Sequence, residues 1–389
     1  MNTLTQNTLV QNSLEEYLTS VKPNVSPQLI SPETWLNIDT VAKALPQAIT
    51  SFFGFECRLG THKPTADFLT CTSASEAGRE ILAGSNNHLI NLPDSLIEKP
   101  IWSNIRNFCH HWSSKSSPLH EKIRNIWLEF DIDESLNTVP LPSCFFGPEN
   151  IYSVQSDNYN SYQWVNQEAL KLLLGKTISP KVEKQLFNCF NLLPKEAYVF
   201  QVGVMLARKS ELVRICIRNI SVENILNYLT QINWQGDINE LKTLLNDISN
   251  LVDRIDLDID VGEFVYPKIG LECYLTQQPS FEPRWNLFLE YLVKLGLCVR
   301  EKHDALLAYP GYVREKSHPE LLPSSLLKLS KFLGSEYERV FFRGLHHIKI
   351  VYQPEKPLEA KAYLSVSHSL ITPKFVSQWR KQEKLTVSN

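Results

Sequence analysis

The residues of this chain that could do chemistry stand in rows with a spacing of two. Asp256, Asp258 and Asp260 make one acidic row, and Glu129, Asp131 and Asp133 make another. Cations stand on comparable stretches at Arg58, Arg214, Arg218, Lys268, Lys349 and Lys361, with Tyr274, His347 and Tyr363 in step with them. A row of carboxylates can hold a divalent cation such as Mg²⁺ or a cationic ligand. A row of Arg and Lys can bind an anion, or it can neutralise the acidic row on a neighbouring strand. His347 reads either as a buried, hydrogen-bonded imidazole or as a group facing a ligand. Asp256, Asp258 and Asp260 do not make an EF-hand loop, because the Gly and the terminal Glu fall at the wrong spacing.

A period of two belongs to β-strands, whose successive side chains point to opposite faces. Ile255, Leu257 and Ile259 oppose the acids of 254–260, and Leu128, Phe130 and Ile132 oppose those of 127–133. The alternation predicts five hairpins: 53–59 with 67–72, 126–133 with 139–146, 198–207 with 212–219, 254–260 with 268–275, and 344–352 with 358–366. Helical periodicity fills the intervals at 162–174, 180–193, 221–233, 237–251, 284–295 and 324–333, with Asp237 and Glu240 at capping-box spacing.

Hairpins alternating with helices argue for an antiparallel sheet covered on one face, so the apolar sides of the strands meet the helices and the charged sides turn away from them. The expected fold class is α+β: a closed antiparallel β-barrel of about ten strands built from repeated ββαα units, with a polar lumen and helices outside. Closure would remove the exposed edges of so wide a sheet, and ten strands leave room for a lumen. An open sheet with one solvated face would show the same alternation. The expected organisation is a polar N-terminal extension with a first helix over 1–50, one barrel domain over 51–370 and a polar tail over 371–389. A division into two units near 158–161 is the other arrangement.

Composition narrows the classes. The chain has 389 residues, 43% hydrophobic and 21% charged, which is too much apolar mass for a disordered polymer. With 39 Lys and Arg against 42 Asp and Glu the net charge is -3, which argues against non-specific nucleic-acid binding. Eight Cys show no C-x-x-C and no zinc spacing, so no disulfide scaffold is expected. No apolar run is long enough for a membrane span, and the polar N-terminus lacks the pattern of a secretory signal, so a cytoplasmic protein is expected. Dinucleotide, Walker, serine-hydrolase, zincin and kinase motifs are absent from the sequence.

Glu359-Ala360-Lys361-Ala362-Tyr363, a cation followed two residues later by Tyr on the second strand of a hairpin, resembles the aromatic prenyltransferases of the PT-barrel (ABBA) fold. In length the chain resembles the bacterial relatives of the dimethylallyltryptophan synthase group. Arg214-Ile215-Cys216 keeps the cation without the Tyr, and Glu272-Cys273-Tyr274 keeps the Tyr without the cation. The resemblance implies transfer of a prenyl group from an allylic isoprenoid diphosphate to an aromatic or other nucleophilic acceptor, in specialised metabolism. It implies that Arg58, Arg214, Arg218, Lys268, Lys349 and Lys361 hold the diphosphate and that Tyr274, Tyr363 and His347 line the substrate. Glu56 would take the acceptor's proton, with Glu272 behind it. Nine acids against seven cations on the inward faces favour two further expectations: Mg²⁺ on Asp256, Asp258 and Asp260 bridging to diphosphate, or a cationic acceptor. They also support an alternative without catalysis, an acidic groove that engages a basic peptide or small cation.

Overall fold

Period-two alternation becomes eleven strands in the computed structural model, which describes residues 12–85, 90–132, 136, 138–149, 162–208, 212–333 and 337–372. They are β1 (Phe52–Arg58), β2 (Ala66–Ser73), β3 (Ile123–Phe130), β4 (Ser143–Pro148), β5 (Tyr198–Val204), β6 (Val213–Arg218), β7 (Arg254–Val261), β8 (Val265–Tyr274), β9 (Gly311–Arg314), β10 (Glu338–Tyr352) and β11 (Glu359–Ile371). Ten of them close into a ring, β1-β2-β3-β4-β5-β6-β7-β8-β10-β11 and back to β1, with every neighbour antiparallel. The expected closed barrel is therefore present, and the open-sheet alternative is not. Asp133 and the 158–161 division lie outside the described residues.

The sequence reading missed β9, which is four residues long. It pairs with Val340–Arg343 of β10, beyond the stretch of β10 that meets β8, so it stands outside the ring. Accordingly β10 begins at Glu338, six residues before the predicted start.

Helices follow the hairpins where expected. Ser179, Ser221 and Asp237 cap Pro180–Asn191, Val222–Gln231 and Ile238–Ser249, each side chain accepting from a backbone N–H of the first turn. Among the helices that periodicity did not single out are Pro32–Ala44, Pro100–Ser113 and Arg300–Ala308. The outward side chains Ile215, Ile217, Leu257, Ile259 and Leu271 are fully buried and share one core with Ile225, Leu229, Leu241 and Leu245 of the covering helices. Burying each such side chain contributes about 2 kcal/mol, so the jacket of helices fixes which face of every strand looks inward. All eight Cys are free and buried. Among the described residues no helix is long and apolar enough to cross a membrane.

Candidate active site

The inward faces of the strands enclose a cavity of about 260 Å³. Glu56, Arg214, Arg218, Lys268, Glu272, Tyr274, His347, Lys349, Lys361 and Tyr363 all line it. Arg58 is the exception among the expected site residues: at the end of β1 its guanidinium donates to Asp67 at 3.0 Å, 42% of its side chain is exposed, and it does not line the cavity.

Strand register sorts these groups along the barrel. Glu56 of β1 lies opposite Tyr363 of β11, and both its oxygens are engaged: Lys361 Nζ donates to Oε1 at 2.5 Å and the Tyr363 hydroxyl donates to Oε2. Burial alone would push the Glu56 carboxyl up, but Lys361, Tyr363 and Lys349 outweigh it and hold the group at about 2. Arg214 grips Asp260 with two bonds of 2.7 and 2.8 Å across the β6–β7 pair. Lys268 is different. It makes no hydrogen bond or ion pair among the described residues, and burial together with the Arg214 and Lys361 charges lowers its pKa.

Lys349 of β10 donates to Asp258 of β7, two strands away, and burial and Asp258 are the leading influences on an ammonium held firmly charged. The path exists because Gly270 stands between them. A Cβ at that position would sit 2.4 Å from Lys349 Cε and 3.1 Å from an Asp258 oxygen.

Other carboxyls are pushed the other way, Glu129 and Glu272 furthest. Burial and the Glu56 charge raise Glu129 to about 8, and burial and Asp258 raise Glu272 to about 8. Seven Arg and Lys face seven Asp and Glu around the cavity. With Glu129 and Glu272 neutral at pH 7, positive charge is in excess, although the sequence count of inward residues had acids ahead.

The acidic row Asp256, Asp258 and Asp260 is not laid out for Mg²⁺. Arg218 donates to Asp256 at 2.8 Å, Lys349 to Asp258 and Arg214 to Asp260, so a cation already occupies each carboxylate. Among the described residues no group of three or more His, Cys, Asp and Glu is placed to hold a metal ion.

Aromatic rings are interleaved with the charges on the cavity wall. Phe52 meets Trp127 edge-on at 5.5 Å, and Phe145 lies over Gly203, whose missing side chain makes room for the ring. Arg218 stacks on Phe200 at 3.9 Å, Arg254 on Tyr274 at 4.0 Å, and His347 on Tyr363 at 4.2 Å.

Sequence reasoning missed His346, since strict alternation puts it outside if His347 is inside. A bulge between Leu345 and His347, where two β10 residues oppose one of β11, turns both imidazoles to the cavity. That reasoning placed Glu129 inward but missed Trp127 and Phe200 as members of the same chamber. Only the β3-β4-β5-β6 pairing brings them together.

No family model matches the chain, and no curated protein matches it. Among solved structures it is similar to the 5-dimethylallyltryptophan synthase from Streptomyces coelicolor (13% identity, 90% of this chain and 96% of that chain, TM-score 0.45) and to the same synthase in complex with DMASPP and Trp (12%, 91% and 95%, 0.43). It is also similar to the apo form of the prenyltransferase PriB (10% identity, 90% and 94%, TM-score 0.46).

Proposed function

We propose that this chain is an enzyme that transfers a prenyl group from an allylic isoprenoid diphosphate to an aromatic or other nucleophilic acceptor inside its barrel. The observation that carries this reading is Lys268, a half-buried cation near Arg214 and Lys361 with no hydrogen bond or ion pair among the described residues, in a cavity that is also lined by aromatic rings. Departure of diphosphate needs fixed positive charge, and the allylic cation it leaves behind needs π-faces and little water.

In this reading Lys268, Lys361 and Arg214 hold the diphosphate. Glu56 orients Lys361 and Tyr363 towards it. Tyr363, Tyr274, Phe52 and Trp127 flank the prenyl chain and the acceptor. The alternative, an acidic groove for a basic peptide, has weak support, because the row acids are paired and Glu129 and Glu272 are neutral at pH 7.

Incubation with dimethylallyl or geranyl diphosphate and a panel of indoles, phenols and dihydroxynaphthalenes should release diphosphate and form prenylated product. Lys361→Ala should abolish both. Calorimetry that detects no binding of any allylic diphosphate would end this reading.

A further inference from the structure

A cavity that forms a new bond to an aromatic carbon must also remove a proton, and most of its bases are already engaged. Glu56 accepts from Lys361 and Tyr363. Asp67, Asp131, Asp256, Asp258 and Asp260 are ion-paired, and Glu129 and Glu272 carry their protons at pH 7. The two imidazoles brought in by the β10 bulge remain.

His346 is exposed to the cavity, edge-on to Phe52 at 6.3 Å and to Tyr274 at 5.6 Å. Its Nδ1 lies 2.7 Å from Nδ1 of His347, which is buried behind it. Nε2 of His347 has no hydrogen-bond partner among the described residues and faces Glu272 Oε1 at 3.8 Å, while the Tyr274 hydroxyl donates to Glu272 Oε2 at 2.6 Å.

Resting on the transfer reading above, we propose that His346 is the base that removes the acceptor's proton, with His347 and Glu272 as positioning residues. With the Glu272 proton on Oε2, where Tyr274 donates, Oε1 is a carbonyl oxygen facing an N–H on His347 Nε2, which leaves His347 Nδ1 as an acceptor. His346 then donates from Nδ1 and presents the lone pair of Nε2 to the cavity. When the donor's C–O bond breaks, diphosphate leaves with the electron pair. The acceptor carbon forms the new C–C bond, and its proton passes to His346 Nε2, from which water takes it.

The surroundings suit a base that must stay unprotonated. Burial and the Arg218 and Arg254 charges hold His346 at about 4, and Lys349 and His346 act with burial to keep His347 neutral. Tyr274 and Glu272 from β8, Arg218 from β6, Arg254 from β7, Lys349 from β10 and Tyr363 from β11 complete the charged and titratable groups around the pair.

Two measurements test this. Long-range ¹H–¹⁵N spectra of the whole protein at pH 7 should show His346 neutral with its proton on Nδ1, and His347→Gln should shift that proton towards Nε2. A proton already on Nε2, or a charged His346 ring at pH 6, overturns the assignment whatever the enzyme does. With dimethylallyl diphosphate and an acceptor from the panel, His346→Ala should release diphosphate but form roughly tenfold less product per diphosphate, because water captures the cation. Added imidazole should restore the ratio. Unchanged coupling in both His346→Ala and His346→Gln, with diphosphate still bound, overturns the proposal alone. A wild-type protein that releases no diphosphate from any allylic donor defeats the transfer reading beneath it.

Discussion

Lys349 reaches Asp258 by crossing Gly270, so the most buried ion pair of the barrel depends on a residue with no side chain. The pair ties β10 to β7 over the intervening β8.

Gly270→Ala should displace Lys349 and destabilise the protein by about 1–3 kcal/mol, a normal cost for overpacking a dense site. Lys349→Met should cost more, about 3–5 kcal/mol, because Asp258 would be left charged and buried. In urea unfolding the two substitutions should be less than additive, since Lys349→Met removes the amine that the new methyl group would displace. Full additivity would show that the lysine does not take this path.

Lys268 has no hydrogen-bonded or ion-paired partner among the described residues to leave stranded, so Lys268→Met should leave stability nearly unchanged. It should weaken binding of inorganic diphosphate by roughly tenfold or more, the value of a charge-assisted hydrogen bond. Arg214→Met should do both kinds of damage, because Asp260 then loses its bidentate partner. Calorimetry and urea unfolding on the two variants separate these outcomes.

Glu129 and Glu272 ionise near pH 8, which adds two negative charges to the cavity. Diphosphate affinity should therefore fall between pH 7 and 9, and Glu129→Gln should make the fall shallower. Stability carries the same sign: a carboxyl whose folded pKa lies above its unfolded value keeps its proton in the fold, so its contribution is lost as pH rises towards 8. Glu129→Gln should thus raise Tm by roughly 1–3 °C at pH 8.5 and by less at pH 5.

Glu56 behaves in the opposite way. Its pKa near 2 lies below the unfolded value of 4.5, so it contributes stability above that value which is lost as pH falls towards 2. The stability advantage of the wild type over Glu56→Gln should be at most about 3 kcal/mol at pH 6 and should shrink steadily from pH 5 to pH 3. A difference that does not vary with pH would show that the carboxylate is not held by Lys361 and Tyr363.

How much of this was legible in the sequence depended on period. Strands such as β7 announce themselves because Ile255, Leu257 and Ile259 must meet helices while three Asp must not. The same logic put Glu56, Lys361 and Tyr363 on inward faces. It failed at His346, where one extra residue in β10 reverses the parity, and at β9, whose four residues are too short for alternation to register. Arg58 obeys the alternation but sits at the end of its strand, so its long side chain reaches Asp67 and solvent instead of the lumen. Charge state was not readable at all. Glu56 and Glu272 are the same residue type on inward faces, and their ionisation differs because Lys361 meets one while Asp258 crowds the other.

Ring closure also governs how this polypeptide can assemble. The seam between β1 and β11 joins residues such as Glu56 and Lys361 that lie 305 positions apart, so the first strand emerges from the ribosome long before its partner exists. Until the final hairpin docks, β1 and β8 each offer a bare row of amides and carbonyls to any passing chain. A contact of such high order makes folding slow and leaves nascent or C-terminally truncated chains prone to aggregation.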